Sequence, residues 1–324
     1  MGRLLKILRS GRGSFSFAAV ALGWMVLVVL EGAIVRATGS GAGCGSHWPL
    51  CNGDFVPHHP RLATVIEFTH RSMTGICTML VAGVIGWTFL IQPKGSRVRK
   101  AAVWSGLLLI TEALLGAVLV LGGYVEHNAS NARVLVQCVH FTNTMLLLGA
   151  LSLAWWWQRS RQPFQLQHPA ACRTALLALA FTILTGATGS VAALADTLFP
   201  AANLQSAWLA DFSSSSPLLI RMRWMHPAAS AGTFVLIGTL AFLVDEGRRK
   251  LLLSLLGFQF MLGVADVLAL APVTLQVLHL LGADLLWIAL VCTAADVLLA
   301  TRKPIAVSST NDLVAPSNLA AKAV

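Results

Sequence analysis

Eight apolar stretches dominate this sequence: Phe17–Val35, Thr64–Ile91, Ala101–Leu121, Val134–Trp157, Cys172–Leu194, Arg221–Val244, Leu251–Leu270 and Leu275–Leu299. A helix rises about 1.5 Å per residue, so a hydrocarbon core about 30 Å thick needs roughly 20 apolar residues in a row. Lipid offers no water to the backbone. Each stretch must therefore satisfy its own N–H and C=O groups, and a helix does so. Composition agrees, with 56% hydrophobic and 11% charged residues, against roughly 25% charged in soluble domains. A soluble enzyme, a secreted disulfide scaffold and a disordered chain are excluded. The expected fold is an all-α integral membrane protein with eight transmembrane helices, its partner the lipid bilayer.

The net charge of +10 invites a nucleic-acid reading. Placement argues otherwise. Of the 23 Lys and Arg, 17 fall at the N-terminus, in the second, fourth and sixth connections and in the C-terminal tail. Basic residues gathered on one side mark the cytoplasmic face, so both termini are expected inside and no nucleic-acid partner is implied. The first stretch has a basic start, but it is long, interrupted by Glu31 and lacks a clean A-x-A site, so it reads as a retained span. No mitochondrial presequence is convincing, and the expected location is a bacterial cytoplasmic membrane.

The chain divides near residue 160 into halves, 1–160 and 161–324, of four spans each. EGAIVRATGSG in the first span answers LTGATGSVA in the fifth, and EFTHRSMTG in the second answers RWMHPAASAG in the sixth. TEALLGAVLVL in the third answers FQFMLGVADVL, and VQCVHFTN in the fourth answers LQVLHLLGAD. A unit with an even number of spans inserts both copies the same way. The expectation is two tandem four-helix bundles, a parallel repeat about an axis normal to the membrane.

Of nine histidines, four lie inside spans: His70, His140, His226 and His279. Each sits about six residues, roughly 9 Å, inside the outer end of an even-numbered span. An ionisable side chain at that depth is costly and marks function. One such histidine would read as an interhelical hydrogen bond. Four at one depth, two per half, match the axial ligation of haem iron inside a bundle. The natural pairs are His70 with His140 and His226 with His279. Zinc wants about four ligands, and no third or fourth recurs at this depth. All four lie toward one face, which disfavours a transmembrane electron wire.

Glu67 stands three residues before His70 and shares its helix face. It reads either as an acid beside the iron or as the partner of Arg71, four residues on. The second half has Arg223 at that position, before His226, so the halves share ligands but differ in the acid. That asymmetry points to one reacting site and one holding site. Cys44 and Cys51 flank a short outer loop. They read as a structural disulfide, with a redox-active pair as the other option. Arg36 suits either a haem propionate or simple snorkelling. Gly39–Gly43 mimics a nucleotide fingerprint but lacks its strand–turn–helix context.

Gly32-Ala33-Ile34-Val35-Arg36-Ala37-Thr38-Gly39-Ser40-Gly41, then Cys44 and Trp48-Pro49-Leu50-Cys51, then Glu67-Phe68-Thr69-His70-Arg71, resembles the haem A synthase family. The resemblance runs through all eight spans and includes all four histidines. The cysteine pair resembles the bacterial subtype that carries one. The resemblance implies oxidation of a methyl group of haem O to a formyl group, giving haem A, by two hydroxylations and loss of water from a geminal diol. It implies a substrate site in the N-terminal half, with His70 and His140 at the haem and Glu67 as an essential acid. It implies haem b as cofactor in the C-terminal half on His226 and His279. Haem O synthase is the implied supplier and a haem-copper oxidase the consumer. The electron donor is unknown, and a homo-oligomer is left open. Glu112 departs from the pattern, standing where relatives show a glutamine, as Gln259 does in the seventh span. The competing reading is a membrane dihaem b-type cytochrome that only transfers electrons. It leaves Glu67 without a task.

Overall fold

Every apolar stretch forms a helix in the computed structural model, which describes residues 11–159, 165–166 and 168–302. The charge-bearing Arg3, Lys6, Arg9, Arg161, Lys303 and Lys322 lie outside the described residues. The helices are α1 Gly11–Ala37, α2 Leu62–Ile91, α3 Arg97–Leu121, α4 Asn131–Trp156, α5 Ala170–Leu198, α6 Leu204–Phe212, α7 Leu218–Arg221, α8 Met225–Phe242, α9 Glu246–Leu268 and α10 Val273–Leu298. Eight stretches are long and apolar enough to cross a membrane, with α7 and α8 together making the sixth. The protein is a multi-pass, all-helical membrane protein.

Short polar caps set where several spans begin. Ser96, Ser130 and Asp245 accept from the backbone N–H of Arg99, Arg133 and Arg248, satisfying donors that the first turn of α3, α4 and α9 would otherwise leave open. The sixth span is not continuous. Pro227 has no N–H to give the carbonyl of Arg223, which instead accepts from His226 N at 3.2 Å. The chain turns through Met222–Trp224 before α8 resumes. Between α9 and α10, Leu270 and Ala271 both adopt positive φ, 62° and 54°. Side chains rarely tolerate that region, and here it lets the chain reverse within a few residues.

In lipid, helices associate through close packing and buried polar contacts, since the solvent is itself apolar. The packed centre draws on both halves. Met25 of α1, Leu147, Leu148 and Leu151 of α4, Ile237 and Leu240 of α8, and Trp287 and Leu290 of α10 belong to one buried cluster. Ala171, Ala175 and Ala178 give α5 a fully buried small-residue edge in the same cluster. Trp287 donates its indole N–H to the carbonyl of Met145 at 2.8 Å, joining α10 to α4. Two-residue strands, β1 Gln165–Leu166 and β2 Thr301–Arg302, pair in parallel. This places the segments after the fourth and eighth spans side by side. Met79, Ile110, Leu135, Val235 and Met261 stay exposed, as a surface solvated by lipid permits.

Candidate functional site

The even-numbered spans run in one direction, so their N-terminal thirds share one side of the molecule, the side of the disulfide loop. His226 and His279 face each other there, with ring centres 6.3 Å apart and planes at 87°. Two imidazoles each about 2 Å from a shared metal ion put their ring centres about 6 Å apart. The His226 Nδ1–H donates to the carbonyl of Thr185 at 3.1 Å. That contact fixes the ring and turns Nε2 away, as in metal-bound histidines whose other nitrogen is anchored. His279 Nδ1 is buried without a hydrogen bond, and Gln259 Nε2 lies 3.2 Å from its Nε2.

The first half repeats the pairing with different neighbours. His70 and His140 lie within electrostatic reach of one another. The Nδ1 atoms of both are buried and make no hydrogen bond. Glu112 Oε1 stands 3.3 Å from His140 Nδ1. Its other oxygen accepts from Asn143 Nδ2 at 2.5 Å, and Oε1 also accepts from the Thr144 hydroxyl.

Glycines on odd-numbered spans make room for three of the rings. A Cβ at Gly32 would lie 3.1 Å from His70, at Gly189 3.0 Å from His226, and at Gly263 2.9 Å from His279. The facing rings of His226 and His279 and the glycine notches fit a flat group gripped from both sides by imidazole. No cluster of three or more His, Cys, Asp or Glu suited to a metal ion occurs among the described residues. Two imidazoles per site are a donor set that haem iron can take.

Glu67 is buried, 3% exposed, with both oxygens engaged. Oε2 accepts from the backbone N–H of Cys44 at 2.7 Å, and Oε1 from Arg71 Nε at 3.1 Å and from Arg71 Nη2. The same guanidinium donates to the carbonyls of His47 and Leu50, at 2.8 and 2.7 Å. Cys44 and Cys51 are joined in a disulfide. Glu67 thus pairs with Arg71, and the pair clasps the disulfide loop one turn from His70.

Arg223 does the matching work in the second half with its charge reversed. It binds Asp196 of α5 and Asp211 of α6, each at 2.7 Å, and the carbonyl of Ala207 at 3.0 Å. Arg36 does not snorkel. It donates to the carbonyl of Ala193 at 2.6 Å, to the Thr197 hydroxyl at 2.5 Å and to Gln276 Oε1 at 2.7 Å. A residue of α1 thereby joins α5 to α10, one turn before His279. Sequence reasoning missed the notch glycines, the Thr185 carbonyl and the bracing by Asn143 and Thr144. Only Asn143 and Thr144, polar residues inside an apolar span, carried a signal that could have found them.

The family model described as a cytochrome oxidase assembly protein, COX15-CtaA, matches residues 16–291, which include all four histidines, Glu67 and both disulfide cysteines. A Thermus thermophilus protein named Protoheme IX farnesyltransferase is 41% identical over 286 residues, 85% of this chain and 47% of that protein. The chain thus spans about half the length of that relative. A protein named Heme A synthase from Exiguobacterium sibiricum is 30% identical over 177 residues, 54% of this chain and 57% of its own length. Another of that name from Bacillus cereus is 39% identical over 131 residues, 40% of this chain and 39% of its own. The chain belongs to the COX15-CtaA family of cytochrome oxidase assembly proteins.

Proposed function

We propose that the protein is a haem A synthase. It oxidises a methyl group of haem O to a formyl group in the N-terminal half, residues 1–160, and holds haem b in the C-terminal half, residues 161–324. The observation that carries this reading is the asymmetry of two otherwise matched histidine pairs. Both sites offer two imidazoles, but only the first has a buried carboxylate, Glu67, one turn from its histidine. The relatives named Heme A synthase support the reaction. The Thermus relative, named for farnesyl transfer to protohaem, carries the chemistry that would supply a farnesylated substrate.

His70 and His140 would hold the substrate haem, and His226 and His279 would hold haem b. Haem b supplies one-electron chemistry when bound. Two successive hydroxylations of the methyl carbon give a geminal diol, which loses water to leave the formyl group. Each hydroxylation, with water as the source of oxygen, releases two electrons and two protons; the electrons leave to an external one-electron acceptor, and each proton needs a base. Glu67, on the His70 face of α2, is the acid placed to receive it, while Arg71 and the Cys44 N–H keep the carboxylate oriented. The disulfide then serves this orientation by holding the loop that carries Cys44. Haem O synthase is the supplier of substrate in this reading. The location is the bacterial cytoplasmic membrane, with the sites toward its outer face.

The test is haem extraction, chromatography and mass analysis on cells that make haem O, with and without the protein and with His70→Ala. A formyl-bearing haem that depends on the protein and is lost in His70→Ala is the expected result. Unmodified haem alone, despite ample haem O, would favour the electron-transfer cytochrome.

A further inference from the structure

We propose that Glu112 is a positioning residue that makes the His70–His140 site electronically unlike its copy in the second half. The inference rests on the haem-binding reading above. Glu112 on α3 and Gln259 on α9 occupy matching places in the repeat, TEALLG against FQFMLG. Each reaches the histidine of the span that follows. Glu112 Oε1 lies 3.3 Å from His140 Nδ1, and Gln259 Nε2 lies 3.2 Å from His279 Nε2. The two residues match in their place in the repeat, but Glu112 faces Nδ1 of its histidine and Gln259 faces Nε2, and only Glu112 brings a charge.

The carboxylate is held for this contact. Asn143 and Thr144, one turn beyond His140, both donate to it, and the Thr111 hydroxyl in turn fixes Asn143 Oδ1 at 2.8 Å. The second half has Gly282 where the first has Asn143. A Cβ there would come within 2.4 Å of Gln259 Oε1, so the amide occupies the space that a brace would need. His140 Nδ1 is buried and makes no hydrogen bond, so the Glu112 carboxylate is the acceptor at hand for its N–H. Nε2 is then left for iron. A carboxylate behind a ligating imidazole raises the basicity of that ligand. A more basic axial ligand and a nearby negative charge favour ferric over ferrous iron, because hydrogen bonding around the ligands tunes the potential. An amide brings no such charge. The first-half haem therefore has the lower potential of the two, although the ligand sets are the same.

Potentiometry followed by optical spectra on the full-length, haem-loaded protein tests this. Glu112→Gln installs the residue that the second half already uses, and Gln259→Glu brings a negative charge beside the second-half ligand. Glu112→Gln should keep its haem content and its bis-imidazole spectrum. At fixed potential it should raise the reduced-to-oxidised ratio of the first-half haem about tenfold, a shift of about 59 mV for one electron. Gln259→Glu should lower the potential of the second-half haem. Unchanged potentials in a fully loaded Glu112→Gln protein would overturn the proposal. If Glu112→Gln loses haem, Gln259→Glu decides, and no downward shift there overturns it. A wild-type protein that binds no bis-imidazole haem would overturn the haem-binding reading and this inference together.

Discussion

A missing methyl group decides how closely a helix can pass an imidazole, and Gly263 shows this most sharply. A Cβ there would stand 2.9 Å from His279, closer than packed atoms approach, and an aromatic ring cannot bend aside as a long flexible chain can. Overpacking of this kind costs about 1–3 kcal/mol. Gly263→Ala should therefore weaken haem retention at the second site by about 5- to 150-fold, read as haem released to an acceptor protein. Gly116→Ala, at the matching place in the first half, meets nothing within 4 Å and should leave retention unchanged. At this scale the histidines were legible in the sequence, because an ionisable side chain in an apolar run stands out against its surroundings. The glycines were not. Small residues are common in membrane helices, and spacing alone does not show which of them faces a ring.

At the scale of elements, each long loop is tied to an even-numbered span by an ion pair one turn from a histidine. In α2 the Glu67–Arg71 pair grips the disulfide loop. Before α8, Arg223 grips α6 through Asp211 and α5 through Asp196. The eight spans could be read from composition because lipid leaves the backbone little choice. Helix α6 was lost inside a loop by the same reasoning, being too short to span. Its own signals were present: Asn203 and Ser206 form a capping box, and the rings of Trp208 and Phe212 pack in a tilted pair at 5.0 Å, one turn apart. The sixth span was drawn as one continuous helix. Pro227 divides it, and the division leaves Arg223 in the turn between two helices, where it can reach both α5 and α6.

Across the whole molecule, the two halves are joined through their interior. Trp287 to Met145 links α10 with α4, and Arg36 links α1 with α5 and α10. Replacing the guanidinium removes three hydrogen bonds, to the Ala193 carbonyl, the Thr197 hydroxyl and Gln276 Oε1. Hydrogen bonds to charged groups contribute about 1.5–3 kcal/mol each. Arg36→Met should lower the thermal unfolding midpoint by at least about 3 °C, and it should loosen the second-half haem, since Gln276 lies one turn before His279. Sequence alone could not assign Arg36 to this role. The repeat revealed that the halves are related but not which residues cross between them.

The central claim is that one half reacts and the other holds a cofactor, and Glu67 is the residue that separates them. The most direct measurement uses Glu67→Gln, produced in cells that make haem O. It pairs the bound haem per protein with chromatography and mass analysis of the extracted haem. The account predicts haem bound at the wild-type level and no formyl-bearing haem. Formyl-bearing haem at the wild-type level in that variant would contradict it.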